Sequence, residues 1–466
     1  MTPGWDTLKT PDNPHLYSMN YTTDAELYAI YLSHPTVQID SRRVGAGDLF
    51  FGLPGSRVHG NQHAAGALEK GAAYVVVDDA GAVPEGEEAQ YLLVPDTLSA
   101  LQGLAVSHRR ANRLPTLAIT GSNGKTTTKE LIRAVMSRQY RVHATPGNYN
   151  NHIGLPLTVL GMPTDTEMLI LEMGANHQGE IGELCLLGQP THGIITNIGE
   201  AHLEGFGGIE GVIAGKGELF DYLSTHRGVA FVNKDEEYLS KMANGVNRVI
   251  YFEESETPSK DVAAMEIQVR RVHPTIEVGF LNTAGELVET EVALSGRHNL
   301  QNVKAAIAIG KYFKVPSKEI AAALAAYRPN NSRSQTLVAG GVDFYWDAYN
   351  ANPSSVMAAL NSFATNVACN NAVVILGEML ELGDVSMDAH RRVSFRAGQV
   401  ADTVVLVGAA MEAPAREFER PWFPDSRALA DWFWRQDWSG KTVFVKGSRG
   451  NRLEQLLEQV TQPARQ

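Results

Sequence analysis

The sequence predicts an α/β protein of three domains with a parallel sheet at its centre, on three observations. The chain has 466 residues, more than one hydrophobic core usually organises. From Pro115 onward short apolar runs alternate with helical stretches, the pattern of a parallel sheet covered on both faces. The alternation resumes in the last third, after the polar stretch "RPNNSRSQ", which reads as a hinge or boundary.

The elements follow in order. Near the start, "DAELYAIYLSH" reads as a helix and "GDLFFGL" as a strand; "NQHAAGALEKG" is a helix closed by Gly71, and "AAYVVVDD" a buried strand. "LSALQGLAVSHRRANR" is a connecting helix that leads to Pro115. Then come the strands "TLAIT", "MLILEM", "GIITN" and "GVAFVN", each short, apolar and ended by a polar or glycine residue. The stretch "AMEIQVRRVHPTIEVGFLNTAGELVETEVAL" alternates and reads as antiparallel hairpins appended to that sheet. "NLQNVKAAIAIGKYF" and "SKEIAAALAAY" are helices. In the last third "AVVILG", "TVVLVG" and "TVFVKG" are strands, with "DSRALADWFWRQ" and "NRLEQLLEQV" as helices. No G-x-G-x-x-G occurs there, so a dinucleotide site has no support.

Bulk properties narrow the classes. Hydrophobic content of 44% with 20% charged residues is that of soluble globular material. A net charge of -12 argues against a nucleic-acid or anionic-membrane binder, yet leaves room for a local anion pocket. Cys185 and Cys369 lie far apart with no metal-ligand spacing, and two cysteines suit a reducing compartment. No apolar run approaches a membrane span, and "MTPGWDTLKTPDNPHLYSMN" lacks a signal-peptide core. A cytoplasmic location and a monomer are expected.

The stretch "LAITGSNGKTTTKE" carries the chemistry. A phosphate loop needs a strand, a tight glycine-rich turn and a helix whose free N–H groups face the anion. "TLAIT" supplies the strand, Gly121, Ser122, Asn123 and Gly124 the turn, and "KTTTKELIRAVMSRQ" the helix. Leu131, Ile132, Val135 and Met136 fall on one apolar face of it. Lys125 is spaced to reach the β- and γ-phosphates of ATP, with Thr126 offering its hydroxyl to Mg2+ and Thr127 following. The common loop would place a glycine where Ile119 stands, so this turn is two residues shorter.

Partners of such a loop lie at the carboxyl ends of neighbouring parallel strands. Glu172 ends "MLILE", and His202 follows "GIITN" by a short loop. A carboxylate there is a common support for nucleotide-bound Mg2+; Glu172 alone reads nearly as well as a cap on "NHQGEIGEL", and the pair with His202 at corresponding strand ends makes the metal reading the better one. Lys216 lies in the helical "GGIEGVIAGKGELFDYL", with Val212, Ile213, Leu219 and Phe220 inward, and by itself reads as a solvated side chain.

The short T-G-S-N-G-K-T-T turn resembles that of the Mur ligase and folylpolyglutamate synthetase superfamily, whose members join a carboxylate to an amine. Further blocks resemble the dipeptide-adding type of Mur ligase: "GNYNNHIGLPLTVL", "EMGANHQGEI", "NIGEAHLEGFGGIEGVIAGKGELF", "GRHNLQN", "DAYNANPSSVMAAL", "LGEMLELG" and "VKGSRG". "IDSRRVGAGDLFFGLPGSRVHGNQHAAGALEKGAAYVVVD" is similar to the N-terminal domain of that type. The resemblance runs from about residue 20 to 460.

It implies a central P-loop ATPase domain at 113–328, flanked by an N-terminal UDP-binding α/β domain at 21–112. A C-terminal Rossmann-like α/β domain at 329–466 would receive the dipeptide, and residues 1–20 are an extension. The implied reaction is ATP-dependent addition of D-alanyl-D-alanine to the terminal carboxylate of UDP-N-acetylmuramoyl-tripeptide through an acyl phosphate, a step of peptidoglycan precursor synthesis. By the same resemblance Lys125, Thr126 and Glu172 hold phosphates and one Mg2+. His202 and a carbamylated Lys216 hold a second Mg2+. Asn299 and Asn302 match positions that contact adenine, and Arg333 one that reaches ribose or phosphate. Asp40, Ser41, Arg42 and Arg43, with Asn148, Asn151 and His152, match substrate-binding stretches. Asp347, Tyr349, Asn350, Asn352 and Lys446 match the dipeptide region.

Two departures from the pattern stand out: Ser332 precedes Arg333 where glycine is common, and Trp346 replaces a common aspartate. Rival readings lack their marks. The D-N-P-R of the diaminopimelate-adding ligases is absent, and "VNKDEE" does not give the N-K-x-D of a GTPase. A scaffold protein that kept the fold would not require Lys125, Glu172, His202 and Lys216 together.

Overall fold

The structure is a computed structural model that describes residues 20–56, 58–86, 88–257, 261, 263–329 and 335–461. It divides into two compact units. One holds the described residues up to Leu114 together with Thr145–Asp165 and Leu186–Gln189; the other holds the rest.

The first unit is built on a parallel four-stranded sheet in sequential order, β1 (Val37–Gln38), β2 (Leu49–Phe51), β3 (Tyr74–Val77) and β4 (Tyr91–Leu93). Helix α1 (Asp24–Ser33) precedes β1, α2 (Ala64–Glu69) lies between β2 and β3, and α3 (Thr97–Ala111) follows β4. Thr23 and Glu26 form a capping box that starts α1, and Gly71 takes φ +102 just past α2. Phe50, Val75, Val77, Tyr91 and Leu93 bury one core with Ala64 and Ala67. The later segment 145–165 joins this unit because its helix α5 (Gly154–Leu160) packs on α3, and Tyr31 donates its hydroxyl to the Leu160 carbonyl at 2.6 Å.

The second unit carries two sheets. The larger has nine strands among the described residues. At one edge β6 (Val142–Ala144), β7 (Met168–Glu172), β5 (Thr116–Thr120), β8 (His192–Ile195) and β9 (Val229–Asn233) lie side by side. β10 (Arg248–Ser255), β11 (Glu266–Arg271), β12 (Ile276–Leu281) and β13 (Leu287–Val292) complete it in that order. All pairs are parallel except the β11–β12 and β12–β13 hairpins. β5 and β7 are buried along their whole length, as expected of strands covered on both faces. Helices α4 (Lys125–Met136), α6 (Glu180–Gly188), α7 (Leu203–Phe206), α8 (Ile209–Thr225) and α9 (Leu239–Met242) connect the parallel strands; α10 (Arg297–Tyr312) and α11 (Ser317–Ala326) follow β13. Leu131, Ile132, Val135 and Met136 of α4 are fully buried beside Leu300, Val303 and Ile307 of α10.

The smaller sheet has the order β14 (Gln335–Ala339), β15 (Val342–Asp347), β19 (Thr442–Lys446), β16 (Ala372–Gly377), β17 (Thr403–Val407) and β18 (Trp422–Phe423). Only β14–β15 is antiparallel. One face packs on α12 (Pro353–Asn366), α13 (Ser386–Val400) and α14 (Glu412–Glu417), the other on α15 (Ser426–Phe433) and α16 (Gln455–Thr461). Trp346 is a core residue of β15, 2% exposed and edge-on to Phe344, so its place in the sequence is a packing matter. The extension 1–19, the hinge Ser332 and the expected ribose or phosphate contact Arg333 lie outside the described residues. Among the described residues no helix is long and apolar enough to cross a membrane.

Candidate active site

The strand β5 delivers the chain to Gly121, and two glycines then set the turn. Gly121 has φ +138, and a Cβ there would fall 2.0 Å from the Thr196 hydroxyl. Gly124 has φ +79, and its Cβ would lie 2.5 Å from Asn302 Oδ1. Only glycine combines that backbone with that approach. The residues between them are laced to the segment after β8. Ser122 donates from its amide to the Asn197 carbonyl and from its hydroxyl to the Gly199 carbonyl, both at 3.0 Å. The Asn123 amide donates to Asn197 Oδ1, and the Thr196 hydroxyl donates to the Asn123 carbonyl. A short turn therefore stays rigid because its neighbour strand holds it. Helix α4 starts at Lys125 with no side-chain cap, so its positive end is left to an anion.

Around this turn the structure brings together the four residues predicted to act. Lys125 curls over the loop, its ammonium 2.6 Å from the Gly121 carbonyl. Thr126, in the first turn of α4, donates its hydroxyl to Glu172 Oε1 at 3.2 Å; Glu172 ends β7, where it pairs with Ile119 of the adjacent β5. His202 follows β8, on the other side of β5, and starts α7 from a left-handed backbone at φ +54. Burial lowers its pKa, and Lys125 and Lys216 push in the same direction against Glu381.

Lys216 corrects the solvated reading. It is 1% exposed, donates to the Ala175 carbonyl at 3.1 Å and sits 4.8 Å from the centre of the Phe206 ring. Burial, with Lys125 second, pushes its pKa well down, while Glu180 and Glu218 oppose the shift. Of the four inward residues expected on this helix, Val212, Leu219 and Phe220 are buried and Ile213 is half-buried.

The remaining predicted residues fall into three groups. Asn299 and Asn302 lie on α10, each 3% exposed, under the loop: Asn302 accepts from the Thr128 hydroxyl at 3.0 Å and donates to Asn299 Oδ1. Asp40 and Arg42 form a two-pronged pair at 2.7 and 2.9 Å, and that pairing holds the Asp40 carboxyl well below the usual range. The Ser41 carbonyl accepts from Lys70, and the Arg43 amide turns back onto the Asp40 carbonyl. Asn148, Asn151 and His152 belong to the same unit; the Asn151 side chain accepts from the Gly154 amide, and the His152 carbonyl accepts from Gln102. In the third sheet Lys446 pairs with Asp347 at 2.5 Å and donates to the Asn350 carbonyl at 3.1 Å, while Arg449 stacks on Tyr349 at 5.3 Å.

Asn352 has a role the motif did not disclose. It caps α12, and its amide donates to Asn123 Oδ1 at 2.8 Å, while Asn123 in turn donates to the Ser354 hydroxyl at 3.1 Å. The phosphate loop thus touches the domain of the smaller sheet directly. Sequence reasoning also missed Lys129, fully buried 3.6 Å from Glu172 Oε2, and Glu381, which meets His202. Lys129 stood one turn beyond Lys125 and was readable by helical spacing; Glu381 carried no local signal.

The model of the Mur ligase middle domain matches residues 119–310, that of the Mur ligase family catalytic domain 35–109, and that of the Mur ligase glutamate ligase domain 332–449. A relative in Bacillus subtilis (strain 168), "UDP-N-acetylmuramoyl-tripeptide--D-alanyl-D-alanine ligase", is 34% identical over 433 residues, covering 91% of this chain and 92% of the relative. The chain belongs to the Mur ligase family. A protein of the same name in Treponema pallidum (strain Nichols) is 34% identical over 442 residues, covering 90% and 92% of the two chains. Among solved structures, the crystal structure of MurF from Acinetobacter baumannii superposes with a TM-score of 0.82 at 26% identity, covering 94% of this Mur ligase and 98% of that chain.

Proposed function

We propose that this Mur ligase is an ATP-dependent peptide ligase that joins D-alanyl-D-alanine to the terminal carboxylate of UDP-N-acetylmuramoyl-tripeptide. The products are UDP-N-acetylmuramoyl-pentapeptide, ADP and phosphate. The observation that carries this reading is the convergence of Lys125, Thr126, Glu172, His202 and buried Lys216 around a loop that also touches the third domain at Asn352. A nucleotide switch needs the loop; a ligase needs the loop and a second substrate domain placed against it.

The chemistry follows from the residues. A carboxylate oxygen of the tripeptide attacks the γ-phosphorus, the bond to the β-phosphate oxygen breaks, and ADP leaves. The dipeptide's amine, having lost a proton, then attacks the acyl carbon, and phosphate departs. Both steps crowd negative charge, so stabilising it is the main task of the site. The α4 amides and Lys125 bind the β- and γ-phosphates. Thr126 and Glu172 offer hard oxygen ligands that suit Mg2+, and among the described residues no group of three His, Cys, Asp or Glu side chains forms a cage of its own. Held there, Mg2+ would supply positive charge to offset that on the phosphate oxygens.

His202 with an ammonium would suit a second Mg2+ poorly. A carbamate on Lys216 would suit it: the neutral amine attacks CO2 and one proton is lost, leaving an anionic oxygen pair. Burial, with the Lys125 charge second, favours the neutral amine. Asn299, Asn302 and Arg333 take the nucleoside end; Asp40 to Arg43 and Asn148 to His152 take the UDP-tripeptide; Asp347, Tyr349, Asn350, Asn352 and Lys446 take the dipeptide. The domains run 21–112, 113–328 and 329–466. The enzyme works as a cytoplasmic monomer on small-molecule substrates.

Phosphate release tests the reading. It should need both UDP-tripeptide and D-alanyl-D-alanine, and a high rate with neither present would sink it.

A further inference from the structure

Two non-glycine residues with left-handed backbones meet between the two sheets of the second unit. His202 has φ +54, and Glu381, in the loop after β16, has φ +63. Left-handed backbone is sparsely populated by residues other than glycine, and such strain collects where side-chain aim matters. The side chains meet through Glu381 Oε2 and His202 Nδ1. The contact belongs to a surface: Gly383, at φ +55, would bring a Cβ 3.2 Å from the Glu204 side chain, and Arg392 of α13 pairs with Glu200.

A carboxylate against Nδ1 keeps the ring proton there and leaves the lone pair on Nε2, the arrangement by which an outer carboxylate orients a ligating histidine. We propose that Glu381 is a positioning residue: by accepting the Nδ1 proton of His202 it fixes the tautomer in which Nε2 is the acceptor or ligand atom. Because Glu381 comes from the dipeptide-binding domain, that tautomer depends on this domain being docked. The use of Nε2 toward a metal or phosphate rests on the function proposed above; the tautomer does not.

The test is the 15N spectrum of the ligand-free, metal-free full chain at pH 8, with the His202 signals assigned against a His202→Gln variant. The wild type should carry its proton on Nδ1. Glu381→Ala should move the proton mainly to Nε2, while Glu381→Gln, which keeps an acceptor oxygen, should retain the wild-type tautomer. Arg392→Ala removes the neighbouring ion pair and should leave the tautomer unchanged. In the presence of a non-hydrolysable ATP analogue, Mn2+ affinity should fall roughly 10- to 100-fold in Glu381→Ala and stay near wild type in Glu381→Gln. A wild-type proton on Nε2, or a tautomer indifferent to Glu381→Ala, overturns the proposal. So does an Arg392→Ala spectrum that shifts as Glu381→Ala does. Phosphate release without substrates would instead overturn the ligase reading and leave this result standing.

Discussion

The phosphate loop and the domain that docks on it build one site by opposite means. The loop is local: Gly121 to Thr127 are consecutive, and their geometry is forced by two positive-φ glycines packed against Thr196 and Asn302. The docking face is assembled at long range, from Asn352, Ser354, Glu381 and Arg392, residues that reach back to Asn123, His202 and Glu200. Backbone constraint specifies the first and tertiary packing the second. The two halves should therefore fail differently when mutated, the loop losing nucleotide chemistry and the docking face losing the coupling between substrates.

The largest effect is expected at the loop. Lys125→Ala removes the charge proposed to meet the transferred phosphate, and kcat should fall by on the order of 100- to 1,000-fold with the fold intact by circular dichroism. Lys216→Ala comes next: it should be nearly inactive and partly recovered by formate, which can replace the carboxylate of a carbamate. Full activity of the variant without any additive would end the carbamate idea. Gly124→Ala combines about 1–2 kcal/mol of left-handed strain with displacement of Asn302 from its bond to Thr128. Urea unfolding should show a loss of about 2–3 kcal/mol, and ATP binding should weaken with it.

A pH effect separates the sheet interior from both halves. His192, packed against Phe231, Tyr312 and Phe313, is pushed down to about 4 by burial, with Arg248 second. The unfolded chain takes up this proton near 6.5, so stability is whole above pH 6.5 and falls as pH drops through the window to about 4. The loss should be about 3 kcal/mol by denaturant titration, and His192→Phe should flatten that slope. The smallest effect belongs to the docking face. Asn352→Ala removes an N-cap and the bond to Asn123, costing about 1 kcal/mol of stability. It should raise the KM for D-alanyl-D-alanine and leave ATP affinity nearly unchanged, where Gly124→Ala does the reverse.

The same contrast explains what the sequence disclosed. Strand β5, the turn and α4 were legible because apolar runs, glycines and helical spacing are local signals. The strand-end placement of Glu172 and His202 was legible because a parallel sheet puts strand ends side by side. Lys216 was misweighed although Val212, Leu219 and Phe220 share its stripe at helical spacing; a lysine in that stripe is buried with it. Strand β10 and helix α13 carried mixed patterns and were not singled out. Glu381 and the Asn123–Asn352 contact were not readable, since both depend on how a loop more than 170 residues away is carried against the turn.

The most direct measurement follows one oxygen atom. With 18O in the terminal carboxylate of UDP-N-acetylmuramoyl-tripeptide, each turnover with ATP and D-alanyl-D-alanine should place one 18O in the released phosphate, because the carboxylate oxygen attacks the γ-phosphorus and leaves with it. Phosphate that carries oxygen from water, with the label retained in the peptide, would contradict the account.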